Sequence, residues 1–170
     1  MAMNATAKLE NGTATTATIT LTSLATATTG NAREGNFIDF GATRDASWLV
    51  TLKTKPAAAP TAQKTLDVYI SLASGTATAL GGWPGGATGV NTAFVGPSGN
   101  IPNAIAQMVW IGTFVVCASA VSQIQNVGVF SPTLRYGTPI VVNNMDQALS
   151  STAGDHVLTL TPIDEGANTA

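Results

Sequence analysis

His156 is the only histidine of the chain, and Asp155 stands directly before it. A hydrolytic triad would need a serine nucleophile converging on this pair, with backbone donors for the oxyanion nearby. No Gly-x-Ser-x-Gly elbow is present. Neighbours in an extended strand point to opposite faces, so Asp155 is badly placed to orient His156. The pair reads as the surface opening of a last strand, and no catalytic residue is assigned.

Metal chemistry meets the same shortage. One cysteine and one histidine cannot build a tetrahedral nitrogen and sulfur site, and Asp146 and Asp155 lack the spacing of a calcium loop. Glu10, Asp39, Asp45 and Asp67 could in principle pair as glycosidase carboxylates, but their spacing does not support it, and they read as solvated turn residues. Cys117 has no partner for an intrachain disulfide. Set beside Phe114, Val115 and Val116, it is expected as a buried small hydrophobe. The loop Gly81-Gly82-Trp83-Pro84-Gly85-Gly86 carries no lysine and does not show the strand–GxGxxG–helix pattern of a phosphate cradle. Neither metal nor cofactor is expected.

Aromatic residues leave one opening. Trp83, Tyr69 and Phe94 could form a platform for a sugar ring or anchor a protein interface. Trp83 as a plug, into a neighbour or into its own core, is the preferred reading.

Composition points the same way. Of 170 residues, 9% are charged and the formal net charge is -2, where soluble domains carry about 25% charged residues. Seven basic residues scattered from Lys8 to Arg135 argue against nucleic acid, which needs several on one face. No run approaches the roughly 20 apolar residues that span a bilayer, and no secretion signal is visible at the start, so no membrane partner is expected. Asn4-Ala5-Thr6 and Asn11-Gly12-Thr13 fit the glycosylation pattern by chance. Thr, Ser, Asn and Gln must supply the polar surface. They are desolvated at an interface more cheaply than charges are. Such a surface suits burial against other protein.

The elements follow from alternation. Thr18–Thr22 alternates as a half-buried strand near Ile19, and Trp48–Lys53 is apolar on both sides. Leu66, Val68, Ile70 and Leu72 share one face of the clearest strand, against Asp67, Tyr69 and Ser71. A Gly-rich loop spans 74–102, with a helical turn near 103–108. Met108–Val116 reads as a central strand buried between layers, with Met108, Trp110, Phe114 and Val116 on one face. Ser122–Phe130 follows with Gln123 and Gln125 facing out, then Ile140–Val142 and His156–Thr161. Short strands with frequent turns predict an all-β, single-domain antiparallel β-sandwich. Residues 1–15 are expected as an extended or flexible arm, 16–163 as the sandwich, and 164–170 as a flexible tail.

The ordered set Leu66-Asp67-Val68-Tyr69-Ile70, Trp83-Pro84-Gly85-Gly86, Met108 to Val116, Val127 to Pro132 with Arg135-Tyr136-Gly137, Ile140 to Asn144, and Leu158 to Pro162 resembles structural proteins of tailed-bacteriophage virions. Small head-decoration proteins are the nearest type. The resemblance implies a jelly-roll-like β-sandwich on the capsid exterior, made in the host cytoplasm. It would bind the major capsid protein and neighbouring copies of itself. A carbohydrate-binding module and a tail or baseplate subunit are the rival readings.

Overall fold

A computed structural model describes residues 8–26, 31–42, 47–76 and 83–166. Eleven strands alternate in chain order with short turns: β1 (Lys8–Asn11), β2 (Thr15–Thr16), β3 (Ala32–Glu34), β4 (Ile38–Asp39), β5 (Ser47–Thr54), β6 (Lys64–Ala73), β7 (Thr92–Ala93), β8 (Val109–Val116), β9 (Gln123–Phe130), β10 (Tyr136–Asn143) and β11 (Val157–Gly166). One five-residue helix, α1 (Ile101–Ile105), precedes β8. Its Asn100 cap accepts from the Asn103 amide at 3.0 Å, and Pro102 in the first turn sets the backbone for it.

All strand pairs are antiparallel. The first sheet runs β1-β11-β5-β9, with β2 also on β11, and the second runs β7-β3-β10-β6-β8, with β4 also on β10. β1 and β2 lie along one edge of β11 as an interrupted strand, and β3 and β4 do the same along β10. The chain switches sheets between β2 and β3, β4 and β5, β5 and β6, β8 and β9, β9 and β10, and β10 and β11. That winding is the jelly-roll arrangement. The β3/β4 interruption has a local cause. Pro139 turns its carbonyl toward that side, where the Gly35 amide meets it at 2.9 Å, but it has no N–H to return.

The core lies between the sheets. β5 buries Trp48, Val50, Leu52 and Thr54 on alternate positions, and β6 buries Leu66, Val68 and Ile70 opposite. Phe40 meets Trp48 and Phe130 edge-on, with ring centroids 5.1 and 5.6 Å apart. β10 is longer than the sequence pattern suggests because it is central and nearly all buried, with no alternation to mark its ends.

Three expectations are revised. Thr18–Thr22 is not a strand: the segment crosses between the sheets, its Thr18 carbonyl accepting from the Asn36 amide while Leu21 and Leu24 enter the core. The arm and tail are tied together, because Lys8–Asn11 pairs with Ile163–Gly166; residues 1–7 and 167–170 lie outside the described part. β5 is covered on one side only, its outward positions being half-buried.

Candidate interaction surface

Residues 83–108 form a cap over the outer face of the second sheet. Trp83, Phe94, Ala87 and Ala104 pack on Ala32, Ala73, Ile140 and Val142 as a second hydrophobic cluster, flanked by Tyr69 and Met108. Trp83 is 4% exposed and Phe94 2%. Tyr69, Trp83 and Phe94 are thus brought together, but inward. Trp83 plugs the chain's own core, one of the two positions its preferred reading gave it, and Trp83 and Phe94 offer no open platform to a sugar or a neighbour. Without helical or strand periodicity, the loop gave no sign that its aromatics had a sheet face to cover. Its attachments are polar: Ser71 Oγ donates to Pro84 O at 2.8 Å, and Thr88 donates to the buried Glu34 carboxylate.

His156 is fixed structurally. Its Nε2 lies 2.9 Å from Ser150 O, which can only accept, so Nε2 carries a proton, and Nδ1 is hydrogen-bonded to Thr54 Oγ1 at 2.9 Å. Ser150 Oγ donates instead to Asp155 Oδ2 at 2.7 Å. The Thr54 hydroxyl beside the imidazole is fully buried, so no substrate reaches it. The carboxylates are dispersed, each with its own local donors. Asp39 takes Arg135 Nε and Nη2 at 2.9 and 2.7 Å, Asp67 takes Thr113 and Asn144, and Asp146 takes Thr61. Hydrogen bonds from Arg135, Thr61 and Ser150 hold the Asp39, Asp146 and Asp155 carboxyls below their ordinary range. Asp45 and the Glu10 side chain lie outside the described part. Among the described residues no three metal-ligating side chains cluster. A cavity of about 150 Å³ beside Thr22, Arg33 and Ala93 is smaller than the several hundred Å³ of a typical small-molecule pocket.

The conspicuous surface lies elsewhere. Between Asp67 and Arg135 the chain carries no charged residue. This stretch contains β8 and β9, the facing edges of the two sheets. The strands come so close that a Cβ built on Gly112 would lie 2.2 Å from Val127 O, and one on Gly128 would lie 2.2 Å from Ile111 O. Gln125 Oε1 accepts from the Val115 amide at 3.2 Å and Gln123 Oε1 from Cys117 at 3.0 Å. These glutamines do not face out as the alternation implied. They close the edge of β8 against a further strand.

Around this seam, large apolar side chains meet solvent. Trp110 is 59% exposed and Ile124 71%, with Val115, Val121 and Val129 about half exposed. The reading of β8 as a buried central strand is therefore corrected. A register shift between Val68 and Tyr69 pairs Trp110 with Tyr69 and Phe114 with Leu66. The extra residue at the bulge turns Trp110 to the face opposite Phe114. Two glycines inside strand patterns were the available sign of a close approach.

Cys117 is exposed at the β8–β9 turn, against the buried position expected from its neighbours. It is predicted to react fully with a thiol reagent in the native protein, at the rate of an open thiol. Reaction only after addition of denaturant would contradict this placement.

Comparison with protein-family models, with curated proteins and with solved structures finds no match to this chain.

Proposed function

We propose that the protein is a structural component of a phage virion that binds the outer surface of the capsid and stabilises the shell. The observation that carries this reading is the uncharged β8–β9 edge with Trp110, Val115 and Val121 facing solvent. Large apolar side chains exposed along one edge suit a surface that another protein covers, and a solvent-exposed tryptophan is a typical interface anchor. The resemblance of the ordered strand and loop motifs to head-decoration proteins supplies the partner, the major capsid protein. The jelly roll recurs in viral capsid and lectin domains, which adds fold-level analogy and no more.

The mechanism is additive. Each copy contributes a modest apolar contact without charge pairing. Repetition over a symmetric lattice, with copies contacting one another, turns weak contacts into avidity. Binding of this kind should depend little on ionic strength, because no ion pair is screened.

Purified particles of the parent phage should contain the chain, and cryo-EM should place it on the head with β8–β9 against the lattice. Trp110→Glu should abolish binding to undecorated shells while leaving the fold intact, since the side chain is already largely in water. Particles lacking the chain, or a map placing it on the tail, would overturn the reading. The carbohydrate reading keeps one observation. Phe37 is an exposed aromatic set edge-on to Tyr136 at 5.8 Å, with the Arg135 guanidinium 5.1 Å from the centre of the Tyr136 ring. Glycan binding lost on Phe37→Ala would favour it.

A further inference from the structure

The segment that crosses between the sheets leaves a small cavity against the second sheet. Its volume is about 150 Å³, and Thr20, Thr22 and Ser23 line it together with Arg33 of β3 and Ala93 of β7. No carboxylate is among the lining residues. The segment turns here. The Leu24 amide bonds back to Leu21 O at 3.2 Å, which places Thr22 and Ser23 at the corners of the turn. Thr22 and Arg33 are half-buried, while Thr20 and Ser23 are exposed, so the cavity opens to solvent beside them.

Arg33 is held in place without being neutralised. Its Nε donates to Asn91 Oδ1 at 3.2 Å and its Nη2 to Asn91 O at 3.5 Å. Asn91 is itself locked. Its backbone amide donates to Asn36 Oδ1 at 2.8 Å, its Nδ2 donates to Thr20 Oγ1 at 2.7 Å, and its Oδ1 also accepts from the Thr20 amide at 2.9 Å. One oxygen shared by Arg33 Nε and Thr20 N sets the guanidinium beside Thr20, at the cavity wall. A guanidinium has five N–H groups, and those not given to Asn91 have no partner among the described residues. Arg135 meets Asp39 and Lys55 meets Asp155, but Arg33 has no such ion pair among the described residues. Glu34, next in the strand, is turned beneath the cap and bonded to Thr88. The Thr22 and Ser23 hydroxyls also lack partners among the described residues. Thr20 Oγ1 accepts from Asn91 and keeps its own proton to donate.

We infer that this cavity binds a phosphate group. Bonds from a guanidinium to phosphate oxygens are charge-assisted and belong to the strong class. The hydroxyls bring further donors from a second element, which suits a tetrahedral oxyanion better than a flat carboxylate. Asn91 fixes the guanidinium before the ligand arrives, so little side-chain freedom is lost on binding. With one cationic side chain in a partly open site, affinity falls in the millimolar range, about 4 kcal/mol. The net charge of -2 gives anions no general attraction to the chain, so saturable binding reports the cavity itself. The site lies away from the β8–β9 edge and does not depend on the virion reading.

Titration with inorganic phosphate at constant ionic strength, followed by NMR of the backbone amides and of Arg33 Nε–H, tests it. Saturable shifts should centre on Thr20, Thr22, Ser23 and Arg33. Arg33→Gln should weaken binding at least about tenfold, the scale of one charge-assisted contact. Thr22→Val and Ser23→Ala each remove one hydroxyl and leave Arg33 untouched, so they keep the test sound if Arg33→Gln disturbs the fold. Each should weaken binding about threefold. Lys55→Gln removes a charge elsewhere and should change nothing. Glycerol phosphate separates the sources: affinity equal to that of the inorganic ion supports a group carried on an ester, and binding of the inorganic ion alone supports a free one. Shifts that never saturate, that acetate reproduces at equal concentration, or that survive both hydroxyl substitutions or a folded Arg33→Gln would overturn the inference.

Discussion

Gly112→Ala and Gly128→Ala are each expected to lower stability by about 2–3 kcal/mol, read as a fall in the urea midpoint at unchanged slope. The reason is contact, not conformational freedom. A methyl at either position would enter a backbone carbonyl of the facing strand, 2.2 Å away, and a backbone cannot step aside as a flexible side chain can. The glycines are reciprocal: Gly112 receives Val127 O, and Gly128 receives Ile111 O. One methyl would already force β8 and β9 apart and make room for the other. The double variant should therefore lose clearly less than the sum of the two single losses, the signature of coupled neighbours. Gly154→Ala is the control. Its φ of +87° makes any side chain awkward, but nothing lies within 4 Å, so about 1 kcal/mol is expected. Equal losses at all three positions would mean that the seam is not closed by contact.

The seam also explains what the sequence could and could not tell. Leu66 to Leu72 was legible because one face of β6 looks into the core and the other at a mixed environment, which writes a period of two. The all-β sandwich class was legible from strand lengths and turns. β8 was not. Its residues are apolar on both sides, as in a buried strand, but apolar character records what a surface avoids and not whether this chain provides the cover. The bulge added a second error by moving Trp110 to the other face, and a one-residue shift leaves no trace in composition. Trp83 and Phe94 were hidden for the opposite reason. A loop has no period, so nothing in their spacing revealed that the cap folds back and builds a core of its own on β10 and β6.

That cap depends on Glu34, where the second large effect is expected. The carboxylate is buried at the end of β3 and accepts from Thr88 N at 2.8 Å and Thr88 Oγ1 at 2.5 Å. Glu34→Ala would strand these donors in the interior, and a loss of about 2–4 kcal/mol is expected. It should be accompanied by faster amide exchange through residues 83–91 and by greater quenching of Trp83. Glu34→Gln separates charge from contact. Its oxygen can accept one bond, but its amide nitrogen would face a second donor. The pH dependence distinguishes the two effects further. Burial raises the Glu34 carboxyl above its ordinary range, outweighing the Thr88 bonds and neighbouring Arg33, which lower it. A raised carboxyl favours the folded state while protonated, so this group's contribution is full below its unfolded pKa and is lost as pH rises through the folded one. The Asp39, Asp146 and Asp155 carboxyls, shifted downward, act in the opposite direction and mask it in the wild-type curve. The difference between wild type and Glu34→Gln isolates it: the variant should lose less stability than the wild type as pH rises from acid to neutral. Parallel curves would show that the clamp holds the cap by hydrogen bonding alone, with no electrostatic strain at neutral pH.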